Sequence, residues 1–248
     1  NGVRFLAGRT LVLDRVTIRN FNGSGVSFEP STAATLAMRN VSISRTGQAT
    51  TTAGAIFVAP TGTGSAALDL DDVHTADDRY GLSIAGPATG VVRDSTIASP
   101  AEDGIVANAP TAAVDVTLDG VAINDAGTNG IAANGANAVL RVDGAGITLA
   151  NALVFNAAAV IDTQAFDWTL TGATGGAATL RKTGAGTLVL SGAKSHTGTT
   201  TVDGGVLRLD GAMPGAVVAA SGGTLAGAAQ LGGSTTVQDG GALRPSAG

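Results

Sequence analysis

Three short alternating apolar runs, each fenced by Gly-rich turns, lie within Leu180–Gly211 (LRKTGAGTLVLSGAKSHTGTTTVDGGVLRLDG). The runs are Thr187–Leu190, Thr199–Val202 and Val206–Leu209, and the same grammar returns at Gly223–Leu225, Ser234–Val237 and Gly241–Leu243. Alternation at period two predicts strands, and the Gly pairs predict the corners between them. Strands this short cannot bury a core alone. Repeated at near-constant spacing, they predict an all-β solenoid in which each coil covers the last.

Composition agrees with narrow stacked layers. Apolar residues make up 44% of the chain but aromatics only 3%, so the core is built from Ala, Val, Leu and Ile. With 37 Gly and 7 Pro, tight turns dominate, and no window shows a capped 3.6-residue apolar repeat. The net charge of −5, with no Lys/Arg cluster, excludes a nucleic-acid footprint. No apolar run is long enough for a membrane-spanning helix. The opening NGVRFLAGRT has neither an apolar h-region nor a cleavage site, and is expected to belong to an internal or mature fragment. The absence of cysteine removes thiolate metal sites and disulfides.

The first 147 residues carry a second repeat. Six hexapeptides align: LDRVTI (Leu13–Ile18), MRNVSI (Met38–Ile43), LDDVHT (Leu70–Thr75), VRDSTI (Val92–Ile97), LDGVAI (Leu118–Ile123) and VDGAGI (Val142–Ile147). Their spacings are 25, 32, 22, 26 and 24 residues, and positions one, four and six are mostly apolar. A second set follows each after a loop: Gly25–Phe28, Gly54–Val58, Gly81–Ile84, Gly104–Ala107 and Gly130–Ala133. Coils of this length with two or three short strands predict a right-handed parallel β-helix, stacked at about 4.8 Å per coil. The spacing of 32 predicts insertions at Ser44–Ala53 and Ala59–Ser65, loops suited to contact a partner. Near residues 144–150 the grammar changes without a linker. This predicts one rod in two parts, 1–147 and 148–248.

The C-terminal part resembles the passenger-associated strand repeat of bacterial autotransporters (type V secretion). Lys182–Gly211 carries the resemblance, with FDWTLTG (Phe166–Gly172) leading in and Ser221–Pro245 following. The N-terminal part is similar to the broad right-handed β-helix family, which includes pectin-degrading enzymes, tailspikes and adhesins. The resemblance implies a surface-displayed or secreted passenger rod, exported through an outer-membrane β-barrel translocator. It also implies that the repeat assists passenger folding and outward movement. The barrel and a signal peptide are not part of this sequence.

The richest polar stretch is Asp69, Asp71, Asp72, His74, Asp77, Asp78, Arg79 and Tyr80. Acidic ladders hold calcium, and paired carboxylates act as acid and base, in polysaccharide-active β-helices. Adjacent Asp71 and Asp72 in one strand are expected to face opposite ways. Asp14, Asp71, Asp119 and Asp143 share a hexapeptide position that Arg39 and Arg93 interrupt, which reads as a surface charge ladder. The stretch is therefore expected to be a polar, ligand-facing edge, with no catalytic, cofactor or metal residue assigned. Ser195 and His196 are neighbours and do not form a nucleophile–base pair. Trp168, the only tryptophan, is expected to be packed, and His74 to lie on the surface.

These readings predict a non-enzymatic stalk or adhesive segment, acting through self-association or through a host glycan or protein. A polysaccharide lyase or hydrolase fused to a transport module is the alternative. A pure folding scaffold is the third reading. Open solenoid ends predict end-to-end association unless flanking sequence caps them.

Overall fold

The computed structural model describes residues 1–48, 53–135, 138–142, 147–149 and 151–245. Residues 49–52 of the Ser44–Ala53 loop, Asp143 with the centre of the sixth hexapeptide, and most of the 144–150 joint lie outside them. The described residues form strands joined by turns, with every inter-strand pairing parallel. The chain is a parallel β-solenoid.

Three sheets run along the stack among the described residues. One of eight strands extends from Val3–Phe5 to Thr174–Gly175. One of fourteen strands extends from Thr10–Asp14 to Thr235–Val237. The third, of six strands, begins at Ile147–Leu149 and ends at Ala242–Pro245. Between 147 and 175 all three are present, so the first sheet is replaced by the third while the second passes through uninterrupted.

In-register stacking turns the alternating pattern into inward columns. Val26, Ile56, Leu82, Ile105, Ile131 and Leu153 lie one above another in the first sheet. Trp168, Leu188, Leu207 and Leu225 do the same in the third and are almost wholly buried. Each such side chain contributes roughly 1.5–3 kcal/mol by leaving water. No coil supplies enough of them to stand alone.

The hexapeptide rule of apolar positions one, four and six has a backbone cause. Position three is left-handed in five coils: Arg15 (φ 55°), Asn40 (53°), Asp72 (54°), Asp94 (45°) and Gly120 (62°). One left-handed residue inside a strand resets the alternation, so positions one and four both face inward. Asn, Asp and Gly are the residue types that accept this conformation at least cost. The insertions fall where the spacing placed them. Residues 45–55 and 59–65 replace the shorter links 77–81 and 85–87 of the following coil.

Candidate functional site

The left-handed Asp72 changes the geometry expected for the acidic edge. Burial along Ala66–Ala76 runs with Leu70 and Val73 buried and Asp71 and Asp72 both part-exposed between them. The two carboxylates therefore share the outward side, contrary to simple strand parity. Asp72 Oδ1 lies 2.9 Å from Nε2 of the exposed His74. Asp69 binds Arg93 at 2.8 Å and reaches Arg39 at 3.5 Å. Asp14, Arg39, Asp71, Arg93 and Asp119 pair in register, so charge alternates coil by coil.

The neighbouring turn separates the remaining residues. Asp77 is left-handed (φ 56°). Asp78 is buried, and its carboxylate accepts from Thr46 N (2.7 Å), Thr46 Oγ1 (2.8 Å) and Ala76 N (3.1 Å). Burial pushes its pKa up to about 6, against the lowering effect of those three donors. Arg79 turns to Glu102 at 3.2 Å, with its guanidinium 5.9 Å from the Tyr80 ring centre. The eight residues thus form an outward charged strip and a buried carboxylate clasp. Among the described residues no three His, Cys, Asp or Glu side chains are grouped to hold a metal ion.

A trough of about 560 Å³ opens on the outer face where turns meet the long sheet. Thr10, Thr35, Ala67 and Thr89 line it from four successive coils, with Ser65, Pro87 and Arg9 at its margins. It lies where the short link 85–87 sits between the longer links 59–65 and 108–113. Its lining is small and hydroxyl-bearing, and Arg9 is its one charged residue.

The most elaborate polar site lies in the C-terminal coils. Leu180, Arg181 and Lys182 alternate in–out–in, which sends Lys182 into the core. Its stem occupies an aliphatic column between Ile161 and Val202, and the whole residue is buried. Its Nζ donates towards Thr163 Oγ1 (2.9 Å) and the carbonyls of Thr183 (3.0 Å), Gly184 (2.8 Å), Gly186 (2.7 Å) and Gly204 (3.0 Å). Burial lowers its pKa to about 8, while Asp162 and Asp167 act to raise it. A Cβ on Gly186 would stand 1.8 Å from Phe166 O, so only glycine lets this turn close on the coil before it. The inward parity of Lys182 was the sequence signal for this site, and motif reading alone passed over it.

Ser195 and His196 do not act together. Ser195 Oγ points to Thr174 O at 3.4 Å. His196 is buried with its ring edge-on to Phe155 at 5.7 Å, and neither ring nitrogen makes a well-formed hydrogen bond. Burial lowers its pKa, partly offset by the backbone of Gly175 and Gly176. Trp168 is packed at 1% exposure.

Residues 180–209, which contain Lys182 and its turn, match the family model of the passenger-associated-transport-repeat. No curated protein and no solved structure matches the chain. The repeat and the parallel solenoid together fit an autotransporter passenger built on β-helix repeats, a class exported through the outer membrane. No described helix is long and apolar enough to cross a membrane.

Proposed function

We propose that this chain is a non-enzymatic stalk and adhesive segment of an autotransporter passenger, held at the bacterial surface or released from it. Residues 1–147 form its outward coils. Residues 148–248 form the transport-repeat part, which supports folding and export through an outer-membrane barrel. One observation carries the reading. A single sheet runs from Thr10 to Val237 and joins the coils that hold the transport repeat to those that do not. A continuous ladder transmits position along its length, which is what a stalk needs.

Contact with a glycan, a protein or a second rod falls to the outer face of the first part. The trough and the 59–65 link break the uniform surface there. Interfaces of this kind spread many weak polar contacts over a long area.

The test is display. Residues 1–248 on a barrel in a non-aggregating bacterium are expected to increase settling, or binding to a glycan or protein panel, over the barrel alone. Folded, displayed rods that do neither overturn the adhesive role and leave the scaffold.

A further inference from the structure

Lys182 is a buried cation without a carboxylate among its contacts. Its five acceptors are one hydroxyl and four backbone carbonyls. An ammonium has three hydrogens, so five oxygens at 2.7–3.0 Å are more than it can satisfy at once. They form a coordination shell around a charge. The shell is also drawn from three successive coils: Thr163 before, Thr183, Gly184 and Gly186 within, and Gly204 after.

The shell is shaped by backbone. Gly184 is left-handed (φ +81°), and a Cβ there would stand 2.4 Å from Gln164 N. A Cβ on Gly205 would stand 2.5 Å from both Gly184 O and Gly186 O. Glycines thus bring the carbonyl dipoles to one point, where they repel each other unless a positive charge sits among them.

We propose that the turn around Lys182 is a cation site for a primary ammonium, filled in this chain by the residue's own side chain, which thereby staples three coils together. The aliphatic column holds the stem, and the shell holds the head. Uncharged replacements leave the carbonyls facing one another in a dry interior, and the three coils lose their common tie. This inference stands apart from the adhesive reading, because it concerns cohesion of the rod and not what the rod binds.

The test uses the full chain with Lys182→Ala and with Lys182→Met, followed by hydrogen exchange. In Lys182→Ala, amides of 163–167, 183–187 and 204–206 are expected to lose protection by about a hundredfold or more, as when a buried charged group loses its partner. Coils from Val26 to Ala133 are expected to keep theirs. Refolding the variant with n-propylammonium, which replaces the removed Cγ to Nζ atoms, restores protection. Tetramethylammonium, a charge without N–H, and 1-propanol, a stem without charge, do not. Unchanged protection in Lys182→Ala overturns the proposal, as does equal rescue by propanol, or no rescue by propylammonium where these coils of the variant are weakened but still folded. If the Ala variant leaves these coils unfolded in every solution, Lys182→Met decides. Met fills the column without charge, so coils as protected as in the parent overturn the proposal, and coils that stay open support it.

Discussion

Asp78 Oδ1 accepts both the backbone N–H (2.7 Å) and the hydroxyl (2.8 Å) of Thr46, one coil earlier. The same hydroxyl lies 3.2 Å from Gly54 O, so a protonated Asp78 donates to Thr46 Oγ1 and Thr46 donates onward. The clasp therefore survives protonation, and burial favours the neutral form. With the folded pKa near 6 and the ordinary value 3.8, the folded state binds the extra proton in between. Stability then rises as pH falls through that window, by roughly 3 kcal/mol at most. Urea unfolding read through Tyr80, the only tyrosine, checks this. Asp78→Asn takes up no proton and should flatten the pH profile. A profile unchanged by Asp78→Asn removes the assignment.

His196 has the opposite sign. Its pKa is lowered in the fold, because burial beside Phe155 denies the charged ring its hydration. The folded state then binds fewer protons than the unfolded one below the ordinary value of 6.5. Stability present above pH 6.5 is lost as the pH drops. Trp168 is the only tryptophan and reports on the same C-terminal coils. Its urea midpoint should fall on acidification while that of Tyr80 rises. His196→Leu should abolish the Trp168 trend, and its persistence would assign the trend elsewhere.

The inward ladders were legible because period two and Gly-rich corners state which residues a coil buries, whatever the coil lies against. Val26, Ile56 and Leu82 needed no knowledge of register to be placed inside. The outward acidic edge was legible as a strip, but the shared side of Asp71 and Asp72 was not. Strand parity says nothing of a left-handed residue in mid-strand. Asp78 and His196 were hidden for a different reason. Their burial depends on the backbone of adjacent coils, at Thr46 for one and at Gly175 and Gly176 for the other. Lys182 lies between these cases. Its inward parity was readable, whereas its shell, drawn from residues 163 to 204, exists only once the coils are stacked.

A packing defect marks the middle of the rod. Ile84, Ala107, Ala133 and Phe155 lie one above another, and the two alanines leave an apolar void of about 40 Å³. At about 24 cal/mol per Å³, that void costs about 1 kcal/mol. Ala133→Val places two methyl groups there and should raise the melting temperature by about 2–4 °C. Thermal unfolding by circular dichroism reads the shift. A lower midpoint would mean that the neighbouring Ile131 and Phe155 cannot admit the branch.

Glycines of the transport repeat should differ sharply from those of the surface links. A Cβ on Gly186 meets Phe166 O at 1.8 Å, and backbone cannot yield to it without parting two coils. A Cβ on Gly62 meets nothing within 4 Å, and its cost is only that of a left-handed φ of +59°. Gly62→Ala should therefore cost about 1 kcal/mol. Gly186→Ala should cost several times more, because it also disturbs a carbonyl of the Lys182 shell. Hydrogen exchange places the damage: near Thr163–Gly204 for Gly186→Ala, and confined to 59–65 for Gly62→Ala. Comparable, local effects from both would show that the coils at Phe166 and Gly186 are not held at the close approach that their glycine permits.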